Sequence, residues 1–454
     1  MIDSFGSHNY KCLHTDMIKL YPLTLLSGGN NVGKTTYIKA LLDLARKNDV
    51  NTILSNLPLI SNYKSKVFNH KEEENNISFN VEFKYEESSV DFSTTFSYNE
   101  NAKGAFQSYI KILLTTGKGT STLEMFKDEP ESPYSIKADK IFSIMYATVK
   151  DPDKLPSTFE AIGDFEFIGY IPYIGKFSYR ENPEFSKWFE FENENDYVQL
   201  KLEVSPLIFD SLSTIHYIGP VRSSPQEYYF LETRNLTMDS SGKNTIEIID
   251  RLQNKRIKYY KDLNDETLTE ESLLKAVQFW FRYFFGNVTF ELLPHTETLI
   301  QVLINGHAIN HSGFGFSQLL PIIVESLLLK REHTLVLEQP ELHLHPELER
   351  KLAYFLLCIT KNNRQIIAET HSEHMVNELV IQKMHNNKLS EKFQVYFLTQ
   401  QTEKTNFESI KISDRGEIEN WPEGFFDQYL NFSKELIEKR REIALKKIAE
   451  QKEH

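Results

Sequence analysis

The nine residues Gly28-Gly29-Asn30-Asn31-Val32-Gly33-Lys34-Thr35-Thr36 bring together the residue types and spacing that hold phosphate in this 454-residue chain. Gly28 to Thr35 fits the pattern G-x-x-x-x-G-K-[ST]. The glycines let the backbone turn so that successive N–H groups face phosphate oxygens, Lys34 reaches the β- and γ-phosphates, and the Thr35 hydroxyl faces Mg²⁺. A nucleoside triphosphate such as ATP is the expected ligand. Such a loop works between a strand and a helix, and the flanks supply both. Leu23, Leu25 and Leu26 form a short apolar run suited to a buried strand, while Ile38, Leu41, Leu42 and Ala45 recur at helical spacing. The positive end of that helix faces the anion.

A metal-bound triphosphate also needs a carboxylate at the end of a neighbouring strand. Thr334-Leu-Val-Leu-Glu338 is an apolar strand ending in an acid, so Glu338 joins Thr35 as the expected metal-side group. Gln339-Pro-Glu-Leu-His-Leu-His-Pro346 follows it with further polar side chains, including Glu341. A second apolar strand, Gln365-Ile-Ile-Ala368, runs into Glu-Thr-His371 and puts an imidazole where it can sense the γ-phosphate. Upstream, Ser312-Gly313-Phe-Gly315-Phe-Ser317-Gln318 opens a helix with Leu319, Leu320, Ile323, Leu327 and Leu328 on its apolar positions. Ser317 reads as its N-cap, and Pro321 as a residue tolerated near the first turn. Tyr217-Ile-Gly-Pro-Val-Arg222 closes a further strand with a turn that presents Arg222 at the strand's end, where α/β sheets carry ligands.

These segments together resemble the ABC-type ATPases of the SMC, RecF and OLD (overcoming lysogenization defect) group, in which two heads sandwich two ATP molecules. The resemblance covers roughly residues 1–60 and 211–413. It implies that Gly28 to Thr36 is the Walker A loop, that Gly313, Gly315, Ser317 and Gln318 stand where the signature motif meets a partner's nucleotide, that Glu338 begins the Walker B end, and that His371 is the switch histidine. A narrower likeness is to compact bacterial AAA-family ATPases with a small C-terminal domain of unknown function. It is carried by Tyr217-Ile-Gly-Pro-Val-Arg222, Glu338-Gln-Pro-Glu-Leu-His-Leu-His-Pro346 and Trp421-Pro-Glu-Gly-Phe-Phe-Asp427. Relatives of that kind often sit in antiphage defence systems; together the two likenesses imply a homodimer or higher oligomer closed around ATP and Mg²⁺ that controls a separate effector such as a nuclease or toxin.

Two departures from the wider group bear on mechanism. Where most ABC-type ATPases place a water-polarising glutamate, this chain has Gln339. Glutamine orients water without taking its proton, which predicts slow turnover, and Glu341 is the second choice as base. Phe-Gly-Phe-Ser-Gln replaces Leu-Ser-Gly-Gly-Gln, so Ser317 is the first choice to cap a partner's γ-phosphate and Ser312 the second. An ATP-locked scaffold with negligible hydrolysis and a RecF-like DNA-maintenance ATPase are the rival readings.

The expected fold class is α/β: an ABC-type P-loop head, with a parallel core sheet, helices and an antiparallel β subdomain, carrying an inserted α+β region. Residues 1–60 and 211–413 form the two halves of the head, 61–210 the insert, and 414–454 a C-terminal tail whose segment Phe432 to His454 reads as a charged helix. In the insert, Ile77, Phe79, Val81 and Phe83 alternate with polar residues as an antiparallel strand does, whereas Asn99 to Asn195 reads as helical patches among turns. A net charge of −13 argues against a surface-wide nucleic-acid footprint, although a local basic groove leaves nucleic acid possible. Cys12 and Cys358 lie outside any C-x-x-C pattern, and no run reaches 18 apolar residues, so a reducing cytoplasm and no membrane partner are expected. His343, His345, His371 and His374 have ligand-like spacing, but the Walker B extension and the switch position account for three of them without a metal. Any nuclease activity is expected in a partner.

Overall fold

A computed structural model describes residues 1–46, 76–85, 88–99, 104–117, 119–139, 158–168, 170–178, 181–182, 197–202, 204–231, 236–311, 315–402, 404–426 and 439. The chain begins with β1 (Ile2–Tyr10), β2 (Leu13–Lys19), β3 (Leu23–Gly28) and α1 (Lys34–Arg46). Then come β4 (Asn76–Lys84), β5 (Ser89–Asn99), β6 (Gly104–Thr116), β7 (Gly119–Phe126), β8 (Tyr134–Asp139), β9 (Thr158–Ile168), β10 (Ile171–Ser178) and β11 (Tyr197–Lys201). After α2 (Ser205–Ser213) follow β12 (Ile215–Ile218), β13 (Tyr229–Phe230), α3 (Thr245–Leu252), β14 (Arg256–Tyr259), β15 (Thr269–Ser272) and α4 (Leu273–Phe285). Next are β16 (Phe290–Thr296), β17 (Leu299–Ile304), β18 (His307–Ala308) and α5 (Gly315–Leu328). The last elements are β19 (Thr334–Glu338), α6 (Pro346–Thr360), β20 (Gln365–Glu369), α7 (Glu373–His385), β21 (Phe393–Gln401) and β22 (Lys404–Ser409).

The expected parallel core and antiparallel sheet are both present. The core sheet runs β12-β19-β20-β3-β21-β22, parallel except where β22 returns against β21. β19 and β20 are buried along their whole length, as continuous apolar runs in a sheet covered on both faces should be. Alternate residues serve two cores. Leu335, Leu337, Leu23 and Leu25 pack into a cluster with α3 to α7, while Val336, Ile367 and Leu26 pack with α1 and the antiparallel sheet.

That antiparallel sheet has ten strands in the order β11-β10-β9-β8-β7-β6-β5-β4-β1-β2. It joins the N-terminal hairpin to the inserted region without a break. β4 shows the predicted alternation, with Ile77, Phe79, Val81 and Phe83 buried. The helical patches predicted between Asn99 and Asn195 are not found among the described residues, where β6 to β10 stand instead. Their aromatic and aliphatic residues alternate with Ser, Thr and Lys, but the pairing of β5 with β6 skips Ser108 and leaves Ala105, Phe106 and Gln107 buried in succession. A bulge of that kind breaks the period of two by which a strand is recognised.

α5 begins at Gly315, so Ser317 lies inside the first turn instead of capping it, and Pro321 falls beyond that turn, within the helix. The charged helix expected over Phe432 to His454 lies outside the described residues apart from Lys439, as do Ser312, Gly313 and Asp427. Among the described residues no helix is long and apolar enough to cross a membrane.

Candidate nucleotide-binding site

The glycine-rich loop joins β3 to α1, and contacts from the far end of the chain hold its shape. Gly28 has φ +143°, and a Cβ there would sit 2.4 Å from the Leu398 carbonyl of β21. Gly33 has φ +107°, and a Cβ would meet Thr405 Oγ1 of β22 at 2.2 Å. The Thr405 hydroxyl donates to the Val32 carbonyl at 2.8 Å. Asn31 takes the left-handed conformation, φ +62°, that short amide side chains tolerate. Lys34 is buried, with its ammonium donating to the Gly28 and Gly29 carbonyls at 3.0 and 2.5 Å. Burial lowers its pKa, and Glu369 and Glu341 oppose that shift.

A cavity of about 340 Å³ opens over this loop. Asn30 to Thr36, Gln339, Glu369 and His371 line it. A second cavity, about 570 Å³, is bordered by Met1, Lys19, Lys84 and Glu391 and contains none of the predicted site residues.

Two acids end adjacent strands beside the loop. Glu338 and Glu369 are register partners on β19 and β20, and Glu369 is also paired with Leu26 of β3. β20 is therefore the immediate neighbour of the loop-bearing strand. The Thr35 hydroxyl donates to the Glu369 carboxylate at 2.8 to 2.9 Å, whereas Glu338 accepts from the Tyr217 hydroxyl at 3.0 Å. Burial raises the Glu369 pKa; the Thr35 hydrogen bond and Lys34 pull it down, and Glu338 pushes it up. Glu369, beside the Thr35 hydroxyl, and Glu338, its strand neighbour that does not line the cavity, repel each other and offer hard oxygen donors of the kind Mg²⁺ takes.

The loop after β19 is fixed by its backbone. Gln339 has φ +43°, and its N–H donates to the Glu369 carbonyl at 2.9 Å. Gln339 lines the cavity and Glu341 does not. Glu341 Oε1 accepts the His371 backbone N–H at 2.6 Å, and burial raises the Glu341 pKa. His371 lines the cavity, its pKa lowered by burial and then by Lys34, which favours the neutral imidazole. Ser372 follows as the N-cap of α7, accepting from the Met375 N–H at 3.0 Å. His345 likewise caps α6. Among the described residues no group of three or more His, Cys, Asp or Glu side chains is placed to hold a metal.

Gly315, Ser317 and Gln318 do not line the cavity of their own chain. Ser317 and Gln318 are buried at the start of α5, and Gln318 Oε1 accepts from Arg222 Nε at 3.1 Å. Sequence reading missed Glu369. A signal was available, because Gln365-Ile-Ile-Ala-Glu369 repeats the pattern of apolar strand and terminal acid that singles out Glu338.

A glycine-rich loop between strand and helix, beside a parallel sheet with acids at its strand ends, defines a P-loop nucleotide-binding protein. The chain belongs to the AAA ATPase domain family, whose model matches residues 1–376. It is thus an ATP-binding ATPase, of a family that uses ATP, usually with Mg²⁺. Residues 390–436 match a family described as a protein of unknown function, DUF3696. No curated protein matches the chain. Similar solved structures include an Smc head bound to the C-winged helix domain of ScpA, 11% identical with a TM-score of 0.43, covering 91% of this chain and 98% of that one. The SMC head domain from Thermotoga maritima is 12% identical, with a TM-score of 0.36 and coverage of 90% and 99%. An Smc head with an extended coiled coil, bound to the C-terminal domain of ScpA and derived from Pyrococcus furiosus, is 9% identical, with a TM-score of 0.40 and coverage of 97% and 99%.

Proposed function

We propose that this ATPase is an ABC-type switch: two copies close around ATP, and the closure controls a separate effector protein such as a nuclease or toxin, in antiphage defence. The cavity in which Lys34, Thr35, Gln339, Glu369 and His371 converge carries the nucleotide part of this reading. Lys34 exchanges its loop carbonyls for the β- and γ-phosphates. Thr35, Glu338 and Glu369 would hold Mg²⁺, which would neutralise charge developing on the phosphoryl oxygens. Gln339 orients the attacking water, and His371 senses the γ-phosphate. The separation of Ser317 and Gln318 from this cavity supports a second copy as the source of the remaining contacts. The defence role is supported by sequence resemblance.

Phosphate release from ATP with Mg²⁺ tests the site. Lys34→Ala is expected to abolish nucleotide binding or turnover while leaving the fold intact; retention of both by the folded variant overturns the assignment. Gln339 favours a second reading, in which ATP locks a scaffold and is scarcely hydrolysed. Wild-type turnover separates the two: phosphate release that is lost in Lys34→Ala supports the switch, whereas ATP bound without turnover favours the scaffold. If Gln339 occupies the water-orienting position, Gln339→Glu supplies a base there and raises kcat by about tenfold or more under either reading. Plating efficiency of phage on cells expressing wild type or Lys34→Ala with its neighbouring genes tests the defence role.

A further inference from the structure

Arg222 is only 4% exposed, yet its hydrogen bonds among the described residues all go to neutral acceptors. Nη1 donates to the Gly219 carbonyl at 3.3 Å, and Nη2 to the Gln339 and Pro340 carbonyls at 3.1 and 3.4 Å. Nε donates to Gln318 Oε1 at 3.1 Å. Burial disfavours the guanidinium of Arg222, Glu341 favours its charge without forming an ion pair with it, and a well-packed apolar side chain would serve stability better. What an apolar residue lacks is the fork. The rigid plane of Arg222 spans three elements at once: the turn after β12, the start of α5, and the loop that carries Gln339 over the cavity.

A second observation points the same way. Gln318 Nε2 is buried and makes no hydrogen bond among the described residues. An unsatisfied buried donor is left free to take a new partner when its surroundings shift, and Gln318 is the residue through which Arg222 holds α5.

We propose that Arg222 is a positioning residue that couples the Gln339 loop to the start of α5, so that γ-phosphate engagement beside Gln339 is relayed to Ser317 and Gln318. The inference rests on the cavity being the ATP site. The acceptors of Arg222 on the loop are main-chain carbonyls, so a shift of the peptides that set the Gln339 side chain moves those acceptors as well. The fork passes the displacement to Gln318. Residues that line the cavity and residues outside it are thereby joined through one side chain, which gives each ATP site of an oligomer a connection to its neighbour.

Amide hydrogen exchange on the full-length protein with Mg²⁺ and either ADP or the β,γ-imido analogue of ATP tests the relay. In the wild type the analogue, relative to ADP, is expected to slow exchange in residues 339–345 and in the first turns of α5 by about fivefold or more. In Arg222→Met and in Gln318→Leu the response of residues 339–345 persists and that of α5 is lost. The double variant shows no further loss, because both changes cut one connection. A purely structural Arg222 would leave the α5 response intact in any variant that folds. The inference is overturned if α5 responds in Arg222→Met as in the wild type, or if wild-type α5 ignores the γ-phosphate while residues 339–345 respond. If Arg222→Met does not fold, Gln318→Leu, which keeps the guanidinium on the loop, decides by the same readout. Absence of any nucleotide-dependent protection in the wild type removes the ATP-site reading and this inference with it.

Discussion

The parallel and antiparallel sheets use neighbouring residues in opposite ways. In the parallel sheet Val336 and Leu337 are both buried, one against the antiparallel sheet and α1, the other against the helices. In the antiparallel sheet Phe79 is buried and its neighbour Asn80 is partly exposed. The ends differ too. Parallel strands finish on one edge, so Gly28, Glu338 and Glu369 gather there, where loops open and a ligand can approach. Antiparallel strands send alternate ends to opposite edges and collect no such set. The candidate nucleotide site therefore lies at the edge of the smaller sheet, and the larger one supplies an extended face.

The largest effect that would sharpen this contrast is expected at the collecting edge. Gly33→Ala forces a Cβ against Thr405 Oγ1 at a φ that alanine rarely adopts. It should destabilise by about 3 kcal/mol or more and weaken nucleotide binding, read by urea unfolding and by ATP titration. Next come the paired neighbours. Leu337→Ala should cost about 2–5 kcal/mol and Val336→Ala about 1–3 kcal/mol, since both faces of that strand are packed. Phe79→Ala should cost about 3–5 kcal/mol, but Asn80→Ala within about 0.5 kcal/mol. An Asn80→Ala cost as large as that of Phe79→Ala would break the comparison, because the outer face would then be covered.

The smallest effect concerns protons. Burial raises the Glu369 pKa, so the folded state holds this proton at higher pH than the unfolded chain does. Above the raised value the ionised carboxylate subtracts from stability; as pH falls through it, that penalty disappears. Glu369→Gln should therefore unfold at a higher temperature than wild type at pH 7, with the gap closing as pH falls toward the ordinary carboxylate range. A gap that widens on acidification contradicts the assignment of Glu369 as a buried acid destabilised by charge.

The phosphate loop was legible because its determinants are consecutive. Glycines, lysine and threonine specify their own backbone geometry and chemistry from Gly28 to Thr36. Gln339 and His371 were legible as polar residues following apolar runs, and both line the cavity. Glu369 carries the same strand-and-acid pattern as Glu338, but its place next to the loop depends on β20 lying beside β3, and that order is a tertiary fact. The contact of Arg222 with Gln318 bridges 96 residues and has no local signal. In the antiparallel sheet the alternation of β4 could be read directly, while the skip at Ser108 hid β6.

The contact of Thr405 with the Val32 carbonyl joins residues 373 apart in the chain. At ribosomal speed the interval between making one and making the other is on the order of 20–75 s. For that time the loop lacks the side chain that presses on Gly33, and for most of it β3 lacks both of its parallel neighbours. β4 to β8 can pair as successive hairpins meanwhile, since each finds its partner nearby in sequence. A chain interrupted before residue 365 would hold its phosphate motif in full and still have no sheet to mount it on. Nucleotide capture is therefore expected only once β20 and β21 have been made and paired with β3.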